Sequence, residues 1–272
     1  MKKIYSNNAD KIKYTNQVGA LVNTYKNFCN DKKNQGLFFS KIEELDNQTH
    51  LILSSIDESL EQYGCIFDLA QHHYSGTLYP QGSKYICRTT SYPIPSTTYC
   101  IGPIKLSKQI LLCENESRLL IRYNIEECNV DSILRINPLF GFREIHSLAK
   151  ANRVLRNYVK NLGNGIAFSA YNFYPTVYVQ FSNQVDFISK PDWYYNFEYK
   201  AMNNSGNEHE DLYSIGNFEM MVREGSSIFI SVGFTPIENK KLKHLFQLQK
   251  KNHIQQHKKE HLLVASKVKP NM

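Results

Sequence analysis

Between Leu51 and Phe234 the chain is cut into short segments that alternate apolar with polar residues, and Gly, Pro and Asn punctuate them at close intervals. Ile104-Lys105-Leu106-Ser107-Lys108-Gln109-Ile110 and Thr176-Val177-Tyr178-Val179-Gln180-Phe181 carry the period of two of a strand with one buried face. Leu119-Leu120-Ile121-Arg122-Tyr123 and Ile228-Phe229-Ile230-Ser231-Val232 are mostly apolar, as strands covered on both faces must be. Breaks fall at Gly82, Pro93, Pro95 and Gly102-Pro103. Gly163-Asn164-Gly165 separates two strand-like runs and predicts a hairpin turn, because Gly and Asn tolerate positive φ. Many short strands with no helical pattern between them predict an all-β chain folded as a large antiparallel sandwich.

After Pro236 the pattern changes. Leu242, Leu245, Phe246 and Gln249 follow helical spacing, so a Lys-rich helix is expected from Asn239 to Val268, amphipathic at its start and frayed beyond. The net charge of +7 also resides there: nine lysines oppose only Glu238 and Glu260 from Glu238 to Met272, which leaves the rest of the chain neutral. A basic stripe on the folded body is therefore missing, and neither a nucleic-acid nor a membrane partner is expected. Large apolar residues are too sparse after Phe246 for firm insertion into lipid.

The 272 residues suffice for a sizeable core, and a hydrophobic content of 42% excludes a disordered chain. No apolar run approaches the ~20 residues of a membrane-spanning helix, and the polar stretch through Asn8 is not expected to act as a secretory leader. A cytoplasmic location is the expectation. Six cysteines (Cys29, Cys65, Cys87, Cys100, Cys113 and Cys128) form no C-x-x-C pair and lack zinc-ligand spacing, so free and mostly buried thiols are expected. The sequon at Asn115-Glu116-Ser117 is expected to carry no glycan. No metal and no cofactor is expected.

Self-contained catalytic motifs are absent from the sequence: there is no G-x-S-x-G, H-E-x-x-H, P-loop or G-x-G-x-x-G after a strand. Glu43-Glu44 and Glu126-Glu127 are expected to be solvated charges. His72-His73 is expected to be a surface or hydrogen-bonded pair. Asp192-Trp193-Tyr194-Tyr195-Asn196-Phe197-Glu198-Tyr199 packs five aromatic rings among acidic and amide groups, which suits either sugar binding or a strand with alternate rings in the core.

Several motifs together resemble one family. Residues 137–152, Asn-Pro-Leu-Phe-Gly-Phe-Arg-Glu-Ile-His-Ser-Leu-Ala-Lys-Ala-Asn, are similar to the P-x-x-x-F-R-x-x-H-S-L-x-x-x-N signature in the N-terminal domain of bacterial and archaeal glycogen debranching enzymes. The 192–199 segment, the Glu-Asp-Leu-Tyr element from Glu210 to Glu219, the stretch from His50 to Glu58 and the stretch from Tyr79 to Ile86 resemble further elements of that family. The likeness runs in order from about Tyr14 to Phe234 and is nearest the Bacteroidetes-type version. It implies a supersandwich of the galactose-mutarotase-like kind over residues 1–237. Residues 238–272 would then be a helical linker leading towards an α/α barrel that carries the hydrolytic carboxylates. Two departures stand out. The N-T-R-x-Y-H-G-L-L element falls on residues 30–38, where Lys32 replaces Arg and Asn34-Gln35 replaces Tyr-His. The E-x-x-R-G element falls on residues 202–206 without its Glu and Arg.

The resemblance implies a non-catalytic domain that supports hydrolysis of α-1,6 branches in glycogen, docking on a barrel in cis or in trans and contacting α-glucan. By itself the chain is expected to be inactive, with no catalytic residue of its own. Arg143, His146, Trp193, Tyr194, Glu210 and Asp211 are the candidates for substrate or domain-interface contact. Arg143 with Glu210-Asp211 reads equally well as a structural ion-pair network. The alternative is a stand-alone carbohydrate-binding or scaffold module.

Overall fold

A computed structural model describes residues 10–200 and 206–267, with side chains in the final helix as far as residue 256. The leader reading at residues 1–8, the altered positions 202–205 and Pro270 lie outside the described residues, as do the side chains of residues 262–264.

The chain opens with β1 (Lys11–Thr15), β2 (Leu21–Tyr25), β3 (Gly36–Ile42), the long β4 (Gln48–Gln62) and β5 (Cys65–Asp68). A small hairpin follows, β6 (Gln71–Tyr74) with β7 (Thr77–Gln81), and then β8 (Ile86–Thr90), β9 (Ser96–Ile101), β10 (Ile104–Leu112) and β11 (Arg118–Glu127). After β12 (Ser132–Glu144) come β13 (Val159–Asn161), β14 (Gly165–Phe168), β15 (Val177–Phe181), β16 (Asp186–Lys200), β17 (Asn207–Val222) and β18 (Ser227–Gly233). Helix α1 (Asn239–Lys267) is last and holds its turns to Lys267 instead of fraying after Phe246.

Two eight-stranded antiparallel sheets form the expected sandwich. The first has the order β1-β2-β3-β4-β12-β17-β16, with β5 continuing the line of β3 along β4. The second has the order β13-β14-β15-β18-β11-β10-β9-β8. The predicted turn at Gly163-Asn164-Gly165 joins β13 to β14.

Side-chain parity builds the layers. Ile104, Leu106 and Ile110 of β10, Leu119, Ile121 and Tyr123 of β11, and Ile228, Ile230 and Val232 of β18 face inward, against Ile52, Ile56 and Leu60 of β4. The opposite parity carries Leu111, Leu120 and Phe229, which pack under Leu242 and Phe246 of α1. This double covering explains why β11 and β18 read as almost continuous apolar runs. Gln249 accepts the Glu114 amide at 3.2 Å, so the helix is tied to the β10–β11 turn a full turn past Phe246.

One opposite-charge pair interrupts the apolar interior. Lys108 of β10, fully buried, approaches Glu58 of β4 at 2.5 Å as an ion pair, without the alignment of a good hydrogen bond. Tyr123 donates to the same Glu58 oxygen, and the Lys108 ammonium stands 3.8 Å from the centre of the Phe28 ring. The pair spans the two sheets.

The thiol expectation needs correction. Cys87 and Cys100 form a disulfide, because β8 and β9 run antiparallel as neighbours and bring the two Cα atoms to 5.8 Å. Cys29, Cys113 and Cys128 are free and buried, and Cys65 is free but exposed. Among the described residues no helix is long and apolar enough to cross a membrane.

The edge strand β16 is broken twice. Its register with β17 shifts between Ser189 and Asp192 and again between Tyr194 and Phe197. Gly216 lies opposite the first shift with φ +129°, where a Cβ would stand 2.2 Å from the Ile188 carbonyl oxygen. Only glycine fits there.

Candidate functional site

Arg143 lies one residue before the end of β12 with its side chain almost wholly enclosed, and Glu210 on neighbouring β17 is completely so. Nε donates to one Glu210 oxygen, and Nη2 donates to the other at 3.1 Å. Nη2 also donates to the Lys33 carbonyl at 2.6 Å, while Nη1 donates to the carbonyls of Glu144 at 3.1 Å and Ile145 at 3.2 Å. All five guanidinium protons are thereby used. Glu210 further accepts the Ala149 amide at 3.0 Å. The pair has no donor left over for an external ligand. It clamps three segments together: the 30–35 loop, the 144–152 loop and β17.

Asp211 serves the same loop from its other side. Its carboxylate accepts the amides of Ala151 and Asn196, each at 3.0 Å, and its own amide donates to the Ala149 carbonyl at 3.0 Å. Asn196 has φ +63° within the second bulge of β16, so Asp211 holds that bulge in place. Behind it Phe197 and Tyr199 enter a small core with Leu139 and Leu212. Burial, with the Glu210 charge adding to it, keeps the Tyr199 phenol well above its ordinary pKa.

The other candidates lie nearer the surface. His146 is exposed at the start of the 145–152 loop, with its amide donating to Glu144 at 2.7 Å. Trp193 is half-buried edge-on to Tyr213, with ring centres 5.2 Å apart. The Tyr194 hydroxyl accepts Asn137 Nδ2 at 3.0 Å, and burial raises its pKa. The structure thus brings Arg143, Glu210 and Asp211 into one buried clamp and leaves His146, Trp193 and Tyr194 around it.

The altered family motif adjoins the clamp. Gln35, buried where the family has His, accepts the amides of Asp31 at 2.7 Å and Lys32 at 3.1 Å through one oxygen. Lys33 pairs with Glu208 at 2.7 Å, and the Lys200 amide donates to the Asp31 carbonyl at 2.9 Å. Lys32 is exposed. The replacement at position 35 therefore has a role inside the loop itself.

His72 forms the expected hydrogen bond, to Asp57 at 2.7 Å. It lies on the outer face of the first sheet beside Tyr74 and Phe197, with ring centres 6.5 and 4.9 Å away. Sequence reasoning passed over Asp57, Tyr74 and Asn137. Their signal was weak: single polar residues at outward parity within apolar strands. Among the described residues no three His, Cys, Asp or Glu side chains are grouped to hold a metal.

A sandwich of two large antiparallel sheets, with a clamped loop at one end and a helix packed across the second sheet, defines the fold class: an all-β sandwich domain. Residues 14–229 match the model for the glycogen debranching enzyme N-terminal domain, and the chain belongs to that family. No curated protein matches the sequence. Among solved structures, a bacterial glucoamylase complexed with acarbose is 11% identical at a TM-score of 0.48, over 90% of this chain and 39% of that one. The heparan sulfate lyase HepC of Pedobacter heparinus is 10% identical at a TM-score of 0.34, over 85% of this chain and 36% of that one. The chain thus spans less than half the length of these structures.

Proposed function

We propose that this chain is the non-catalytic platform of a glycogen debranching system, nearest the Bacteroidetes-type version. It docks on an α/α barrel that bears the hydrolytic carboxylates, in the same polypeptide or a second one, and it contacts α-glucan. The platform is residues 1–237, and segment 238–272, which contains α1, is the connection towards the barrel. The observation that carries this reading is the clamp: family-motif residues spend their hydrogen bonds on fixing two loops and a bulge, which is the work of a scaffold presenting a surface. Arg143, Glu210 and Asp211 are positioning residues in this scheme, while His146, Trp193 and Tyr194 form the presented contacts. We place the chain in the cytoplasm, where the Cys87–Cys100 pair would be held reduced.

The test uses branched limit dextrin. The chain alone should release no glucose, and it should raise or restore release when added to a debranching barrel expressed without its own N-terminal domain. Glucose release by the chain alone would overturn the platform assignment. Retention on glucan with no response from any barrel would favour the stand-alone binding module.

A further inference from the structure

The outer face of the first sheet carries a row of side chains that the clamp does not use. Asp57 of β4 and Asn137 of β12 are paired in register. Asn137 donates to the Tyr194 hydroxyl at 3.0 Å and accepts the Ser214 hydroxyl. His72 bonds one Asp57 oxygen at 2.7 Å, and Tyr74 stacks obliquely on Phe197 with ring centres 5.2 Å apart. Asp57 and Tyr194 both lie close enough to Tyr74 to act electrostatically on its phenol. Four strands and the β6–β7 hairpin thus converge on one patch.

The chemistry of the row is specific. Asp57 keeps its second oxygen as an acceptor, and Tyr194, already accepting from Asn137, keeps its O–H as a donor. Tyr74 and Tyr194 add ring faces. Burial raises both phenols, so both are neutral donors at physiological pH. Among the described residues the row holds no lysine or arginine, and Asp57 already engages His72, so nothing there favours phosphate or another anion. Alternating acceptors and neutral donors beside aromatic faces match an uncharged polyhydroxylated ring. The strands fix these groups in advance, which limits the ordering cost of binding.

We propose that this row, Asp57–Asn137–Tyr194 with Tyr74, is the α-glucan contact of the domain. The Asp57 carboxylate would accept sugar hydroxyls, the Tyr194 hydroxyl would donate to one, and the tyrosine rings would lie against C–H faces. This rests on the glucan reading given above; it keeps Tyr194 and moves the rest of the contact away from His146 and Trp193.

The experiment is native electrophoresis of the full chain through gels with and without glycogen, followed by titration with maltoheptaose read by tyrosine and tryptophan fluorescence. Tyr194→Phe and Asp57→Asn should each weaken retention and the dissociation constant by about five- to tenfold, the loss of one hydrogen bond. Tyr158→Ala, an exposed ring outside the row, should change neither. Tyr194→Phe keeps the ring, so a melting profile like that of the wild type will separate lost binding from lost folding. If wild type is retained and both variants are retained equally, the row is not the contact and the glucan reading survives. If wild type is not retained at all, both readings fall. If the variants lose barrel binding instead, the face belongs to a protein interface and the proposal is overturned.

Discussion

Replacing Lys108 with Met should unfold this protein more readily than any surface change of similar size. The ammonium is fully buried, its carboxylate partner is 2.5 Å away, and both sit between the sheets. Met retains most of the volume, so the loss is electrostatic: Glu58 is left as a buried charge, with the Tyr123 hydroxyl as its hydrogen-bond donor. Removing one member of such a pair costs about 3–5 kcal/mol. At roughly 2–4 °C per kcal/mol for a domain of this size, the melting temperature should fall by about 6–20 °C. Glu58→Leu alone should cost a similar amount, because it strands the ammonium. The double variant removes both charges and should recover at least about 2 kcal/mol relative to the sum of the single losses. Urea unfolding followed by near-UV circular dichroism gives the three values. A Lys108→Met loss below about 1 kcal/mol, or single losses that simply add, would refute the claim that the two charges depend on one another.

Arg143→Lys should cost about 2–4 kcal/mol, since an ammonium supplies three donors where the clamp uses five and cannot bind Glu210 through two parallel bonds. Proteolysis should then cut first within residues 144–152. Reducing the Cys87–Cys100 bond, or replacing Cys100 with Ser, should lower stability by about 3 kcal/mol, the value for closing a loop of similar length. An unchanged denaturation midpoint in dithiothreitol would dismiss that contribution. His50 lies 2.6 Å from the Tyr174 hydroxyl, and burial lowers its pKa against the pull of Glu144. The folded chain therefore takes up its proton at lower pH than the unfolded chain does. This group's contribution is fully present above about pH 6.5 and declines as pH falls towards the folded value. Denaturation midpoints of wild type and His50→Gln between pH 5 and 8 should converge at the acid end.

Much of this architecture was legible from alternation alone, since the parity that buries Ile104, Leu106 and Ile110 needs no partner to be seen. The same parity places Lys108 inward from β10 and Glu58 inward from β4, between Ile56 and Leu60. Opposite charges at core parity in two strands were a signal of a pair. What the sequence could not supply was that the two strands face each other across the sandwich. The disulfide was hidden for a similar reason: its cysteines lie thirteen positions apart, and only the β8–β9 register brings them together. Arg143 and Glu210 were identifiable as important by family likeness. Their saturation by carbonyls and amides of distant loops depends on where those loops return, which no spacing rule encodes.

The twice-broken margin at β16 has a consequence for the molecule in crowded solution. A fifteen-residue outer strand is long enough to template a neighbour's backbone, which is how sheets propagate from one chain to the next. Here Pro191 removes an amide, Lys190 brings a charge, and the two shifts in register turn the remaining stretches out of line. A second polypeptide laid against this margin would find only fragments to zip with, and growth into fibres stops at this border.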